Sequence, residues 1–134
     1  MTKTAFLFAG QGAQKLGMAR DLYDQYPIVK ETFDQASRVL GYDLRDLIDQ
    51  DEEKLNQTRY TQPAILTTSV AIYRLLVEKG LQPDMVAGLS LGEYSALVAA
   101  GSLDFEDAVA LIAKRGQFME TAGPAGTGKM VAVM

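Results

Sequence analysis

A glycine-bracketed serine set between an apolar run and a helix-forming run constrains this chain most. Residues 85–88 read Met-Val-Ala-Gly, residues 88–92 read Gly-Leu-Ser-Leu-Gly, and Tyr94-Ser95-Ala96-Leu97-Val98-Ala99-Ala100 is good helix material. The five-residue pattern alone is short enough to occur by chance, but between a strand and a helix it forms a nucleophile elbow. Gly88 and Gly92 lack side chains, so strand and helix can close up while Ser90 stays exposed at the sharp turn. The first amides of that helix, beginning with Leu91 N–H, have no intrahelical partner and suit a developing oxyanion. The plainer alternative is a glycine-rich connection with an incidental serine.

An elbow needs a sheet beneath it. Residues 4–9, Thr-Ala-Phe-Leu-Phe-Ala, are continuously apolar and short, as expected of a parallel strand buried on both faces. The strand runs into Gly10-Gln11-Gly12-Ala13-Gln14, a loop suited to bring a backbone N–H and the Gln11 side chain over a site at the carboxyl edge of the sheet. A dinucleotide fingerprint is excluded, because Lys15 stands at its third glycine and no acidic residue follows a second strand at the required distance.

Between these strands the apolar positions recur at helical spacing. They predict helices from Met18 to Leu40, with Pro27 opening a second helix and Gly41 stopping it. A short, charged and broken helical stretch follows from Asp43 to Leu55, its acids reading as a solvated face. A long helix opens at Gln62-Pro63 and ends at Gly80. After the elbow helix, Ser102 or Asp104 can cap a helix through Phe105, Ala108, Val109, Ile112, Arg115 and Met119. Residues 123–128 form a glycine-rich connection, and 130–134 read as the start of a strand. Alternating strands and helices indicate an α/β fold with a mainly parallel sheet and flanking helices. Residues 123–129 match the first seven places of a phosphate-binding loop, but Met130 replaces the Mg²⁺-binding hydroxyl and the helix–loop–strand order is reversed.

Composition narrows the chemistry. The 134 residues suffice for one domain with a core of its own, and no apolar run approaches a membrane span. The N-terminal residues reach Gly10 too soon for a secretory leader. Net charge is −4 with no basic cluster, which argues against nucleic acid or an anionic membrane as partner. The absence of cysteine fits a reducing cytoplasm, and with no histidine the commonest general base and metal ligand are both missing. No metal site is expected.

Four segments, Gly10-Gln11-Gly12-Ala13-Gln14, Arg59-Tyr60-Thr61-Gln62-Pro63-Ala64, Gly88 to Leu97, and Lys114-Arg115-Gly116, come in an order and spacing that resemble the malonyl-CoA:acyl carrier protein transacylases of bacterial fatty-acid synthesis. The resemblance covers essentially the whole chain and corresponds to roughly the N-terminal two-fifths of a family member. It implies an α/β-hydrolase-like large subdomain, incomplete at its C-terminal end, with an inserted ferredoxin-like small subdomain. On that basis residues 1–122 belong to the large subdomain, 123–128 are a linker, and 129–134 begin the first strand of the small one. The resemblance makes Ser90 the acyl-accepting nucleophile and places the oxyanion hole at the backbone N–H groups of Gln11 and Leu91. Arg115 becomes the partner of the malonyl carboxylate; its plainer reading is a cation on an outer helix face. The implied partners are malonyl-CoA, acyl carrier protein and the remainder of the polypeptide, with no cofactor beyond the CoA thioester, itself a substrate.

Two departures stand out. Leu89 occupies the place where most of the family has histidine before the serine, and the family's catalytic histidine lies beyond position 134, so the chain as given is expected to be inactive alone. Glu93 does not replace that base; it is an acid favoured by a helix N-terminus. Two rival readings share the sequence: a Gly-x-Ser-x-Gly esterase or lipase with water as acceptor, and a non-catalytic fragment or interaction module.

Overall fold

The computed structural model describes residues 2–123, 126–128, 131, 133 and 134. Its elements run β1 (Ala5–Phe8), α1 (Arg20–Gln25), α2 (Pro27–Leu40), α3 (Leu44–Gln50), α4 (Glu52–Leu55), α5 (Thr58–Glu78), β2 (Met85–Gly88), α6 (Leu91–Ala99) and α7 (Phe105–Thr121). The α/β expectation holds as a two-stranded parallel sheet with flanking helices, in which Ala5 pairs with Met85 and Phe8 with Gly88. Asp84 extends the pairing past the strand end, accepting from Thr4 N–H at 2.7 Å and donating its own N–H to Thr4 O at 2.8 Å.

Helix boundaries follow local chemistry. Pro27 sits in the first turn of α2, and Gly41 ends it with φ of 82°, donating its N–H to Ser37 O at 2.9 Å. Asp43, Asp51 and Asp104 cap α3, α4 and α7, each carboxylate accepting from the N–H three residues on. Of the two proposed caps for α7, Asp104 therefore serves.

Helix α5 is the central element. It packs on α2, α6 and α7, and its buried Ala64, Leu66 and Val70 meet Val29, Phe33, Leu44, Ile48 and Ile112 in one apolar core. It begins four residues earlier than expected, at Thr58, so Pro63 lies inside it. The early turn is held by local and tertiary contacts. The one proton of the Thr61 hydroxyl faces both Leu55 O and Gln57 O nearby in the chain, and the long-range contact is Arg59 N–H donating to Glu120 Oε2 of α7 at 3.0 Å. A carboxylate from another helix thus satisfies an orphan donor near the α5 N-terminus.

Three further expectations need correction or restriction. The strands are not buried on both faces: Phe6 and Phe8 turn toward Tyr73 of α5, with ring centroids 6.2 and 6.3 Å apart, whereas Leu7 on the opposite face is 81% exposed. Among the described residues the helices cover only one side of the sheet, so the alternation of side chains becomes an alternation of burial. The acids of the 43–55 stretch do not all face solvent; Asp49 is bonded to the buried Arg45 and to Arg20. Of the expected strand at 130–134, residues 130 and 132 lie outside the described residues and 131, 133 and 134 are not in a strand; of the 123–129 match, residues 124, 125 and 129 lie outside the described residues.

Candidate active site

The elbow forms as its glycines require. Ser90 precedes α6 with φ of 56° and ψ of −113°, a backbone conformation that L-residues rarely adopt. A Cβ on Gly88 would lie 2.0 Å from Gly92 O, and one on Gly92 would lie 2.2 Å from Phe8 O. Gly10 faces the same squeeze, its Cβ position being 2.9 Å from Leu89 O. Strand, elbow and the loop after β1 are therefore in backbone contact, which brings Ser90 and Gln11 to the same sheet edge. Ser90 is exposed, and so is Leu89, at 83%. Among the described residues, neither Gln11 N–H nor Leu91 N–H has a hydrogen-bond acceptor.

Helix α7 delivers the cation. Gly116 lets it press against the start of α5: a Cβ there would meet Arg59 Cα at 2.9 Å and Thr58 O at 3.1 Å. One residue earlier, Arg115 is half-buried rather than carried on an outer face, and its Nη2 donates to Ser90 Oγ at 3.0 Å. Its guanidinium carbon stands 5.3 Å from the centre of the Tyr94 ring, a cation–π contact on the elbow helix itself.

Gln62 completes the group. The sequence placed it as a helix opener and in one of the four motif segments, with no role of its own, yet it is fully buried, and its Oε1 accepts from Arg115 Nη1 at 2.8 Å. Its Nε2 donates to Gln11 Oε1 at 3.3 Å and to Met119 Sδ at 3.1 Å. Gln11 in turn donates to Thr58 Oγ1 at 3.1 Å. The available signals were its place in the Arg59–Ala64 segment and an amide directly before the apolar run Pro63 to Leu66, a residue that is buried only when it has partners. No group of three or more His, Cys, Asp or Glu among the described residues could hold a metal ion.

Chemically, the arrangement is an exposed serine at a strained turn, free amides beside it, and a forked cation on its oxygen. The acyl transferase domain family model matches residues 5–134. The chain belongs to the acyl transferase domain family. Within it, the chain is similar to the malonyl CoA-acyl carrier protein transacylase of Escherichia coli strain K12, 56% identical over 136 residues covering all of this chain and 44% of that protein. The enzyme of the same name from Bacillus subtilis strain 168 is 53% identical, again over the whole of this chain and 43% of its own length. A crystal structure of MCAT from Streptococcus pneumoniae has a TM-score of 0.90 and 84% identity, covering 92% of this chain and 40% of that one. A type II polyketide synthase acyl-carrier protein in complex with its malonyl-transacylase contains a chain with a TM-score of 0.90 and 53% identity, covering 93% of this chain and 41% of that one. The transacylase resemblance read from the four motifs is thus borne out. This acyl transferase domain sequence spans about two-fifths of the length of the relatives it matches. No helix among the described residues is long and apolar enough to cross a membrane.

Proposed function

We propose that the polypeptide carrying this sequence transfers a malonyl group from malonyl-CoA to the phosphopantetheine thiol of acyl carrier protein through a Ser90 acyl-enzyme, in bacterial fatty-acid synthesis. The observation that carries this reading is the 3.0 Å hydrogen bond from Arg115 Nη2 to Ser90 Oγ. A permanent planar cation at the nucleophile is where the free carboxylate of a malonyl thioester can be paired by two N–H groups. A neutral ester offers that cation nothing, which disfavours the esterase reading.

In the first half-reaction Ser90 Oγ attacks the thioester carbonyl. The O–C bond forms, the C–S bond breaks, and the hydroxyl proton passes through a general base to the departing CoA sulfur. Gln11 and Leu91 N–H hold the oxyanion between these events. In the second half the carrier thiol attacks the Ser90 ester and the proton returns to Oγ. The chain contains no histidine, so the base belongs to the longer polypeptide and turnover is assigned to that whole. In this reading residues 1–122 form part of a large subdomain, 123–128 a linker and 129–134 the opening of a small one. The test is intact-mass analysis of the full-length protein after incubation with malonyl-CoA: one malonyl adduct on the wild type and none on Ser90→Ala. Equal labelling of the two would overturn the assignment.

A further inference from the structure

We infer that Gln62 is a positioning residue that fixes the Arg115 fork and the Gln11 loop as one unit, and thereby sets the preference for carboxylate-bearing acyl groups. This rests on the function proposed above.

The orientation of the Gln62 amide is forced. A guanidinium has donors only, so the oxygen of Gln62 must face Arg115 Nη1, 2.8 Å away. Nε2 then points the other way, to Gln11 Oε1 at 3.3 Å and Met119 Sδ at 3.1 Å. That donation fixes the Gln11 amide, leaving its own Nε2 for Thr58 Oγ1 at 3.1 Å. One buried amide therefore joins the two loops that follow β1 and β2, one bearing Gln11 and the other the Ser90 that Arg115 touches. An apolar side chain could fill the same space next to Pro63, whereas burying an amide is unfavourable unless its groups are bonded. What the amide adds is direction. Arg115 has a long flexible stem, and without an acceptor on Nη1 its fork keeps one hydrogen bond, to Ser90, and the non-directional contact with the Tyr94 ring.

The full-length enzyme tests this with Gln62→Leu and Gln62→Glu beside Arg115→Ala. Gln62→Glu supplies an internal carboxylate that takes the fork, so KM for malonyl-CoA should rise more than kcat falls. The malonyl-over-acetyl preference should drop roughly 10- to 100-fold. Gln62→Leu should lower the same preference less. Losses equal on malonyl-CoA and acetyl-CoA in both variants would overturn the inference. If Arg115→Ala leaves the preference unchanged, the proposed function fails instead; if it shifts the preference and Gln62→Glu does not, only the role of Gln62 fails. A readout independent of variant folding is the ¹⁵N spectrum of the Arg115 guanidinium in the wild-type enzyme. Hindered rotation with two distinct Nη environments is expected, and a freely averaging fork would overturn the inference.

Discussion

Arg115 reaches 25 residues back along the chain to place Nη2 3.0 Å from Ser90 Oγ. Arg115 lies on α7 and Ser90 at the turn that opens α6, and both helices pack on α5. In the proposed function this contact joins the residue that would select an acyl group to the residue that would receive it.

Replacing Arg115 by alanine should therefore separate the two substrates. A hydrogen bond to a charged group contributes about 1.5–3 kcal/mol, so the ratio of kcat/KM for malonyl-CoA to that for acetyl-CoA should fall roughly 10- to 150-fold in the full-length enzyme. An equal decline on both substrates would make Arg115 a structural residue.

The elbow stores strain that its serine does not relieve. With φ at 56°, Ser90→Gly should raise stability by about 1 kcal/mol over Ser90→Ala, although both remove the hydroxyl. Urea unfolding of the two variants gives the comparison. Identical midpoints would show that the turn is unstrained.

Two glycines that permit close approach should differ in severity. At Gly92 an added methyl meets the Phe8 carbonyl oxygen at 2.2 Å, backbone against backbone, while at Gly116 the nearest atom is Arg59 Cα at 2.9 Å. Gly92→Ala should cost at least about 2 kcal/mol and abolish acylation. Gly116→Ala should cost less and act mainly by moving Arg115, lowering malonyl preference before stability. Thermal melts with acylation rates decide; a milder effect at Gly92 would contradict the elbow geometry.

Asp49 makes stability depend on acid. Burial pushes its carboxyl up, but hydrogen bonds from Arg45 and Arg20 more than offset this and hold it below the usual carboxylate range. The group therefore contributes fully above the unfolded value near about pH 4, and the contribution is lost as pH falls through the folded value. Asp49→Asn leaves Arg45, only 4% exposed, without its anion and should cost about 3 kcal/mol at neutral pH. The gap between variant and wild type should narrow as pH falls below about 4. A gap that stays constant in denaturant titrations over that window would mean that charge is not its source.

The sequence by itself determined what depends on near neighbours. The elbow was legible because Gly88, Ser90 and Gly92 lie within five residues, and their backbone demands are local. Pro27, Gly41 and the alternative caps Ser102 and Asp104 marked helix ends for the same reason, since turn and cap chemistry acts over three or four residues. Arg115 was legible only through the Lys-Arg-Gly resemblance; periodicity left it equally suited to an outer face. Tertiary structure decided the rest. Thr58 begins α5 because Glu120, 61 residues away from Arg59, supplies an acceptor that no local pattern announces. Gln62 is a hinge of the site because three partners, at positions 11, 115 and 119, converge on its amide. The exposed face of β1 follows from which side the helices take, and an apolar run has no means of recording on which face it will be covered.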